Sequence, residues 1–277
     1  IKMMPRYTYL TLLGSDDYLQ GTIALIRSLK MQKSKYPITV LVTDNVSNMV
    51  LDYLKLNNIK YKIAKKIEAP NSIKKNNGKN SYSNWTNTFS KLLIFGMVEY
   101  DKIVFLDSDM LILRNIDELF TKQHLSGVIA GRSFPGNENW KDINSGIMVI
   151  KPKKDEDKRL ISILNEVKYP GKMGDQDIIR LGYPNWSKYE ELHLSESYNI
   201  FAKYEPYYVS QKVLNTPIKV LHFVGKRKPW NMKKTDVIKY YLKLSKLQLK
   251  KAKSLKGISK SIKDFKYYRK ICSLKSN

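Results

Sequence analysis

The chain has 277 residues, of which 42% are hydrophobic, and it carries 50 Lys and Arg against 25 Asp and Glu, a formal charge of +25. This hydrophobic content supports a folded core and excludes a wholly disordered chain, and no apolar run approaches the ~20 residues that a transmembrane helix needs. A single cysteine, Cys272, excludes an intrachain disulfide and zinc sites built from cysteine pairs. The N-terminal residues contain no long apolar segment typical of a signal peptide, so we expect a cytoplasmic protein.

The first half of the chain alternates between strand and helix patterns. Four apolar, β-prone segments predict strands, at 7–13, 38–44, 59–67 and 102–109. Helical periodicity of the apolar residues predicts three helices, over 18–33, 47–56 and 89–99. Residues 71–87 are polar and predict a long surface loop. This order predicts an α/β fold of Rossmann-like type, with a mostly parallel central sheet and helices on both faces, in which ligands bind beyond the carboxyl ends of the strands.

The second half is less regular and ends in a basic segment. Further strands are predicted at 127–132, 143–152 and 218–225, and further helices over 155–167 and 175–181. From Thr235 onward apolar residues recur at helical spacing among lysines, and residues 233–277 hold 14 Lys and one Arg against two Asp. We therefore expect one domain over residues 1–232 and a basic, helical tail over 233–277. The lysines either solvate this helix or bring it to an anionic membrane surface.

Two carboxylates follow the most strongly apolar segment, since Asp107 and Asp109 flank Ser108 directly after KIVFL. Residues i and i+2 of a strand point to the same side, so these carboxylates would repel each other unless a cation lay between them. Oxygen ligands beside an open loop suit Mg²⁺ or Mn²⁺. The alternative is a pair of solvated turn residues.

A second cluster of chemically active residues is HFVGKRKPWN, at 222–231. His222 ends the last predicted strand, and Gly225 and three cationic residues follow it. An imidazole could complete the metal site that the two aspartates begin, and a cationic side chain could bind phosphates. A lone histidine at a strand end is more often structural, but the acid pair needs a third ligand and the chain has only 3 His.

Polar residues also occupy two places where a core would be apolar. The segment NSG at 144–146 precedes the strand IMVIK, and GDQD at 174–177 opens a helix. Amides and a carboxylate that face a cleft can bind sugar hydroxyls or stabilise a developing positive charge. The alternative is ordinary turn and capping chemistry, with Asp175 as an N-cap.

Together, these motifs resemble those of the glycogenin-like retaining glycosyltransferases of family eight, over about residues 7–231. The segments that carry the resemblance are YLTLLGSDDYLQGTIALIRSL, FSKLLIFGMVEYDKIVFLDSDMLILRNIDELF, NSGIMVIKP, GDQD and HFVGKRKPWN. The resemblance implies a single domain of the GT-A fold. It also implies a Mn²⁺-dependent enzyme, with Mg²⁺ as the alternative ion, that transfers glucose from UDP-glucose to a hydroxyl of a glycan or protein acceptor.

The resemblance further implies a role for each matching position. It assigns the role of metal ligand to Asp107, Asp109 and His222. It assigns the nucleotide site to Thr11, Leu12, Tyr18, Ser108, Gly225 and Lys228. It surrounds the donor sugar with Lys91, Asn144, Ser145, Asp175 and Gln176. Of these last residues, the candidate catalytic ones are Lys91, Asp175 and Gln176.

The chain departs from the family pattern in two places. An arginine that these enzymes carry shortly before the position of Lys91 has no counterpart here, where the chain offers Lys79, Tyr82 and Trp85. An acidic position just before GDQD is Lys172 or Met173. The second departure puts the handling of the acceptor in doubt.

The segment KYEPYY at 203–208 raises the question of self-glucosylation. By analogy with glycogenin, Tyr204, Tyr207 or Tyr208 could be the first acceptor, presented by the partner in a two-fold symmetric homodimer. The alternative is that these tyrosines pack or form hydrogen bonds at the domain edge and are never modified.

Three alternative functions stay open, one of the same class and two of different classes. A galactosyltransferase of the same family, acting on lipid, capsular or protein glycans, would share all of these motifs. A nucleic-acid-binding protein would account for the pI of about 9.8, but the chain has no recognisable DNA- or RNA-binding motif. A lectin-like, inactive relative would not need the intact acid pair and His222.

Overall fold

The structure is a computed structural model that describes residues 3–78, 88–168 and 171–275. Its strands are β1 (Tyr7–Leu13), β2 (Ile38–Thr43), β3 (Tyr61–Ala64), β4 (Lys102–Leu106), β5 (Met110–Ile112), β6 (Gly127–Val128), β7 (Asn144–Ile150), β8 (Ile200–Phe201) and β9 (Val220–His222). Its α-helices are α1 (Leu19–Met31), α2 (Asn48–Leu56), α3 (Asn71–Asn77), α4 (Glu156–Glu166), α5 (Asp175–Gly182), α6 (Glu205–Ser210), α7 (Lys234–Ala252) and α8 (Ile258–Ile271).

Six strands form the central sheet, in the order β3-β2-β1-β4-β7-β6. The first four are parallel to one another, whereas β7 runs antiparallel to β4 and β6 runs antiparallel to β7. The prediction of a mostly parallel sheet in an α/β fold is therefore confirmed. A second, three-stranded sheet has the order β5-β9-β8.

The central strands are apolar along their whole length because both of their faces are covered. In β4, Val104 and Leu106 belong to the core cluster that includes Leu25 of α1, while the intervening Phe105 belongs to the cluster that includes Leu160 of α4. Helices thus pack on both faces, which is the usual reason why parallel strands appear in a sequence as continuous apolar runs.

The chain passes from the central sheet to the second sheet through Asp107, Ser108 and Asp109. The Asp107 N–H donates to the Gly146 carbonyl at the start of β7, at 2.8 Å, and the Phe223 N–H after β9 donates to the Asp109 carbonyl at 2.9 Å. These bonds hold the segment between β7 and β9. They bring together three motifs that lie far apart in the sequence.

Several element predictions were wrong in detail. Residues 71–77 form α3 rather than a loop, because the buried side-chain amide of Asn77 pairs with both backbone groups of Met173, at 2.8 and 2.9 Å. The rest of the predicted loop, with Lys79, Tyr82 and Trp85, lies outside the described residues apart from Gly78. The segment Phe89–Gly96 is a 3₁₀ helix. The strands predicted at 127–132 and 218–225 shorten to β6 and β9, and β9 joins the second sheet.

The basic segment after residue 232 forms α7 and α8, and α8 continues the core. Phe265 and Tyr268 of α8 are fully buried, and the Tyr268 ring stacks on Phe223 with centroids 4.1 Å apart. Arg27 of α1 donates to the Ile271 carbonyl at 2.9 Å. Phe223, the residue directly after β9, thus packs against α8. Among the helices of the described ranges, none is long and apolar enough to cross a membrane.

We expect Phe265→Ala to lower the free energy of unfolding by about 3–5 kcal/mol, because it leaves a cavity in the core. The ring that is lost stacks on Tyr240 with centroids 4.3 Å apart. Urea denaturation followed by circular dichroism measures the change. The control is Lys266→Ala at the exposed neighbouring position, which should shift the free energy by about 0.5 kcal/mol or less. Equal effects of the two variants would contradict a structural role for α8.

Candidate active site

A cavity of about 770 Å³ lies where the carboxyl ends of β1 and β4 meet the second sheet, within the size range of small-molecule sites. Every predicted site residue except Thr11 lines it. These lining residues are Leu12, Tyr18, Lys91, Asp107, Ser108, Asp109, Asn144, Ser145, Asp175, Gln176, His222, Gly225 and Lys228. The Thr11 side chain is instead fully buried, and its hydroxyl finds no hydrogen-bond partner within the described ranges.

Asp107, Asp109 and His222 converge at the centre of the cavity. One potential ligand atom from each lies within 4.8 Å of the others. The His222 Nε2 atom is 3.0 Å from Asp109 Oδ1 and 3.6 Å from Asp107 Oδ2. Two carboxylates and an imidazole at this spacing could hold Mn²⁺ or Mg²⁺, with the side toward the cavity left for ligand oxygens.

Asp109 has a cationic neighbour in Lys228. The Lys228 ammonium lies 2.6 Å from Asp109 Oδ2 and donates to the Phe223 carbonyl at 3.0 Å. Burial opposes ionisation of Asp109, but the charge of the adjacent Lys228 lowers the pKa of the carboxyl. Gly225, at φ +117°, makes the turn that leads back to Lys228 in a conformation that residues with a side chain rarely adopt.

Lys91 connects the acid pair to the other end of the cavity. Only 2% of the residue is exposed. Its ammonium lies 2.9 Å from an oxygen of Asp107 and 2.9 Å from an oxygen of Asp175. Burial lowers the pKa of Lys91, but the two carboxylates outweigh burial and raise it above its usual value. Lys91 is therefore a buried cation.

The two acids of the central pair have pKa shifts of opposite direction. Burial raises the pKa of Asp107, the charge of Asp109 raises it further, and Lys91 acts against both. The pKa of Asp109 is lowered. This split is typical of like charges that crowd one another, and a cation bound between the carboxylates would relieve it. The electrostatics of the pair thus fit a metal site.

Asp175 is not the cap of its helix. The N-cap of α5 is Gly174, and its N–H donates to Asp177 Oδ2 at 2.9 Å. The carboxylate of Asp175 is instead buried against Lys91. Burial raises the pKa of Asp175, but Lys91, Thr88 and Ser145 together lower it. The capping alternative for Asp175 is therefore wrong, and the residue presents an ionised carboxylate to the cavity.

Ser145 and Gln176 join the sugar end of the predicted site to β7. The Ser145 N–H donates to Gln176 Oε1 at 3.1 Å, and the Lys91 ammonium lies 3.2 Å from the Ser145 carbonyl. These bonds fix the side chains of Lys91 and Gln176 relative to each other.

An aromatic residue, Tyr18, lines the opposite end of the cavity. Tyr18 packs edge-on against Trp230 with ring centroids 5.7 Å apart, and the Lys228 ammonium lies 5.8 Å from the centre of the Tyr18 ring. The Trp230 indole donates to the Asp17 carbonyl at 2.8 Å. A Cβ at Gly21 would lie 2.6 Å from the Ser108 carbonyl, so the glycine lets α1 approach the acid pair.

The sequence analysis assigned no role to several residues of the site. Further lining residues are Gly14, Ser15, Asp17, Thr88, Gly174, Asp177, Lys203, Val224, Lys226 and Asn231. Asn199 is fully buried just outside the cavity, where its side chain contacts His222. Its only sequence signal is a position between two apolar residues, Tyr198 and Ile200. A polar residue in that setting indicates burial with a partner, but it does not indicate which partner.

The tyrosines of KYEPYY are largely packed. Tyr204 stacks on Phe134 with centroids 3.8 Å apart. Tyr208 is 2% exposed and its hydroxyl donates to Glu196 at 2.5 Å, while Tyr207 is half-buried. The packing alternative describes the observed surroundings of Tyr204 and Tyr208.

Comparison with known proteins agrees with the motifs. The family model described as Glycosyl transferase family 8 matches residues 9–234. Glycogenin-1 of Homo sapiens is 30% identical over 232 residues, which cover 82% of this chain and 63% of that protein. The putative UDP-glucuronate:xylan alpha-glucuronosyltransferase 3 of Arabidopsis thaliana is 32% identical over 229 residues, covering 80% of this chain and 34% of that protein. The chain thus spans between one third and two thirds of the length of these relatives.

Solved structures show the same fold. An active-site mutant of LgtC aligns with a TM-score of 0.61 at 17% identity, over 87% of this chain and 94% of the LgtC chain. The apo form of the glycosyltransferase GlyE from Streptococcus pneumoniae aligns with a TM-score of 0.55 at 20% identity, over 91% of this chain and 64% of that one.

We expect Asp107→Ala, Asp109→Ala and His222→Ala each to weaken Mn²⁺ binding by at least about 100-fold, because a lost ligand should exceed the losses that follow when a group behind a ligand is removed. Isothermal titration calorimetry on the full chain measures the dissociation constant. The control is His193→Ala, which removes a ring whose Nε2 lies 3.2 Å from the Trp186 carbonyl. Wild-type affinity in the three ligand variants would contradict the assignment.

Proposed function

We propose that this chain, which belongs to glycosyl transferase family 8, transfers a hexose from a UDP-sugar to an acceptor hydroxyl with retention of the anomeric configuration. The observation that carries the proposal is the composition of one cavity. At its centre lie Asp107, Asp109 and His222, with the Lys228 ammonium and the Tyr18 ring on one side and the ionised Asp175 carboxylate on the other. A nucleotide diphosphate needs the metal ligands and the neighbouring cation, and a sugar that reacts at its anomeric carbon needs the carboxylate.

Asp107, Asp109 and His222 would hold Mn²⁺, with Mg²⁺ as the alternative. When bound there, the ion would neutralise diphosphate charge and so make UDP a better leaving group. Lys228 already contacts Asp109 at 2.6 Å and would extend the same positive field toward the phosphates. Leu12 and Tyr18 would receive the uridine.

Asp175 is the residue we assign to the reacting end of the sugar. Its carboxylate is buried and its pKa is lowered, so it carries a negative charge with little exposure to solvent. Such a charge would stabilise the positive charge that develops at the anomeric carbon as its bond to UDP breaks. Lys91 holds the carboxylate in place, and Gln176 would contact the sugar beside it.

We propose glucose as the donor sugar, with galactose as the alternative. The proposal rests on the resemblance to glycogenin. The relative from Arabidopsis thaliana carries UDP-glucuronate in its name. A donor series should therefore contain UDP-glucose, UDP-galactose and UDP-glucuronate.

We expect Asp175→Asn to lower kcat by about 100- to 1,000-fold while UDP affinity stays near that of the wild type, because the carboxylate acts at the sugar and not at the nucleotide. Lys228→Ala, in contrast, should weaken UDP binding. A coupled assay of UDP release gives kcat, and calorimetry gives UDP affinity.

The matched control for Asp175→Asn is Asp142→Asn, at a residue outside the cavity that pairs with Arg180 at 3.5 Å. It should leave both quantities unchanged. An unchanged kcat in Asp175→Asn would overturn the role of Asp175.

The acceptor, in our proposal, is a separate molecule. Two tyrosines of KYEPYY are buried, and a phenol must reach the cavity of another subunit before it can be glucosylated. Only Tyr207 of the three is partly open to solvent.

We expect the intact mass of the protein to stay unchanged after incubation with Mn²⁺ and either UDP-glucose or UDP-galactose, while the preferred donor releases UDP. A parallel sample with EDTA should release none. Hexose found on the peptide that contains residues 203–208, and lost in Tyr207→Phe, would instead establish self-glucosylation at Tyr207.

A further inference from the structure

The metal-binding histidine of the proposed site forms a hydrogen bond with a buried side-chain amide. Asn199 is 0% exposed and lies on the side of His222 away from the acid pair. Its Oδ1 is 3.0 Å from His222 Nδ1, and its Nδ2 is 2.9 Å from Asn144 Oδ1. Asn144 in turn receives the Gly146 N–H at 3.0 Å.

These hydrogen bonds form a series from Gly146 through Asn144 and Asn199 to His222. The direction of each bond in the series follows from its first member, the Gly146 N–H. The oxygen and nitrogen of an amide side chain have nearly the same shape, so the orientation of an amide is decided by its partners. A backbone N–H can only donate, so the Asn144 atom that faces Gly146 is the oxygen. This oxygen also faces Asn199, which must therefore present its NH₂ group. The remaining atom of the Asn199 amide, its oxygen, faces His222.

An oxygen that accepts requires a ring nitrogen that donates. The neutral His222 ring therefore carries its proton on Nδ1 and a lone pair on Nε2. This lone pair points toward carboxylate oxygens of Asp109 and Asp107, at 3.0 and 3.6 Å. Three electron-rich atoms repel one another at these distances unless a cation lies among them.

Close packing holds the ring in this position. A Cβ at Gly146 would lie 2.6 Å from the His222 Cε1 atom and 2.8 Å from Asn144 Oδ1. Glycine at this position therefore allows the imidazole and the Asn144 amide to meet beside the backbone of β7. The same residue supplies the N–H that sets the direction of the bonds.

We propose that Asn199 is a positioning residue that fixes the tautomer of His222 through Asn144 and Gly146, so that Nε2 is presented to the metal. The inference deepens the metal site of the proposed function and rests on it. The tautomer itself is a property of the chain that does not depend on catalysis.

The other two histidines provide an internal contrast. The Lys151 N–H donates to His124 Nδ1 at 3.0 Å, which leaves the proton on Nε2, toward the Tyr183 hydroxyl at 3.2 Å. His193 Nε2 lies 3.2 Å from the Trp186 carbonyl and must donate to it. Of the 3 His in the chain, His222 alone is expected to carry its proton on Nδ1.

The first test is a long-range ¹H–¹⁵N correlation spectrum of the full chain with ¹⁵N-labelled histidine, free of metal, at a pH where all three rings are neutral. The variants His124→Gln and His193→Gln assign the signals by deletion. We expect the Nδ1–H pattern for His222 and the Nε2–H pattern for the other two. An Nε2–H pattern for His222 in the wild type would overturn the proposal.

The second test measures the consequence for the metal. Asn199→Leu removes the acceptor and should abolish the Nδ1–H preference and raise the dissociation constant of Mn²⁺ about 10- to 100-fold. Asn199→Asp keeps an acceptor opposite Nδ1, so its dissociation constant should be closer to that of the wild type than to that of the leucine variant. Unchanged Mn²⁺ affinity in Asn199→Leu would overturn the positioning role.

The control is Tyr198→Phe at the neighbouring residue, whose hydroxyl donates to Glu118 at 2.6 Å, away from the site. It should match the wild type in both measurements. If Asn199→Leu does not fold, the wild-type spectrum still decides the tautomer. A wild type that shows the expected tautomer and binds Mn²⁺, but transfers no sugar, would overturn the proposed function and leave this inference standing.

Discussion

Pairing of buried charges organises the site, and the surrounding structure has to maintain it. An isolated charge in a protein interior is strongly destabilising, so each buried ion needs a partner of opposite sign. Here the partners form a continuous row in which Lys91 touches two carboxylates and Lys228 touches one. The row runs through Asp175, Lys91, Asp107, His222, Asp109 and Lys228. Three carboxylates face two ammonium groups, and the excess negative charge lies at Asp107 and Asp109, where we place the metal.

The backbone maintains this row because the chain changes sheets there. Asp107 and Asp109 lie between a strand of the central sheet and a strand of the smaller sheet, and each carboxylate contacts a different lysine, Lys91 and Lys228 respectively. Backbone bonds to Gly146 and Phe223 fix the two ends of the segment. The C-terminal helix α8 also supports this segment, since its Tyr268 stacks on Phe223, which directly follows β9.

The sequence predicted those parts of the fold whose pattern is local. The parallel strands are buried on both faces and therefore appear as long apolar runs, and the acid pair directly follows such a run. Strands of two or three residues, such as β5 and β8, are too short to show any periodicity, so the second sheet could not be predicted. The helix α3 depends on the pairing of Asn77 with Met173, which is distant in the sequence. No local pattern contains that information.

The same distinction applies to the site residues. GDQD places two aspartates in the first turn of α5, and either could have capped the helix. The choice between Asp175 and Asp177 is decided by Lys91, which lies on a distant segment and pairs with Asp175. Asn199 belongs to no motif at all. Its importance follows only from the two side chains it contacts.

The polar start of β7 is what joins the two ends of the cavity. Ser145 contacts Lys91 and Gln176 at the sugar end, whereas Asn144 is bonded through Asn199 to His222 at the metal end. Asn144 Oδ1 already accepts two hydrogen bonds, which is all that its two lone pairs allow. Only its NH₂ group is left for a sugar, so in our proposal Asn144 donates to a hydroxyl oxygen of the donor. The NSG segment would thus set the histidine tautomer and orient the sugar with the same few atoms, which explains why polar residues begin an otherwise buried strand.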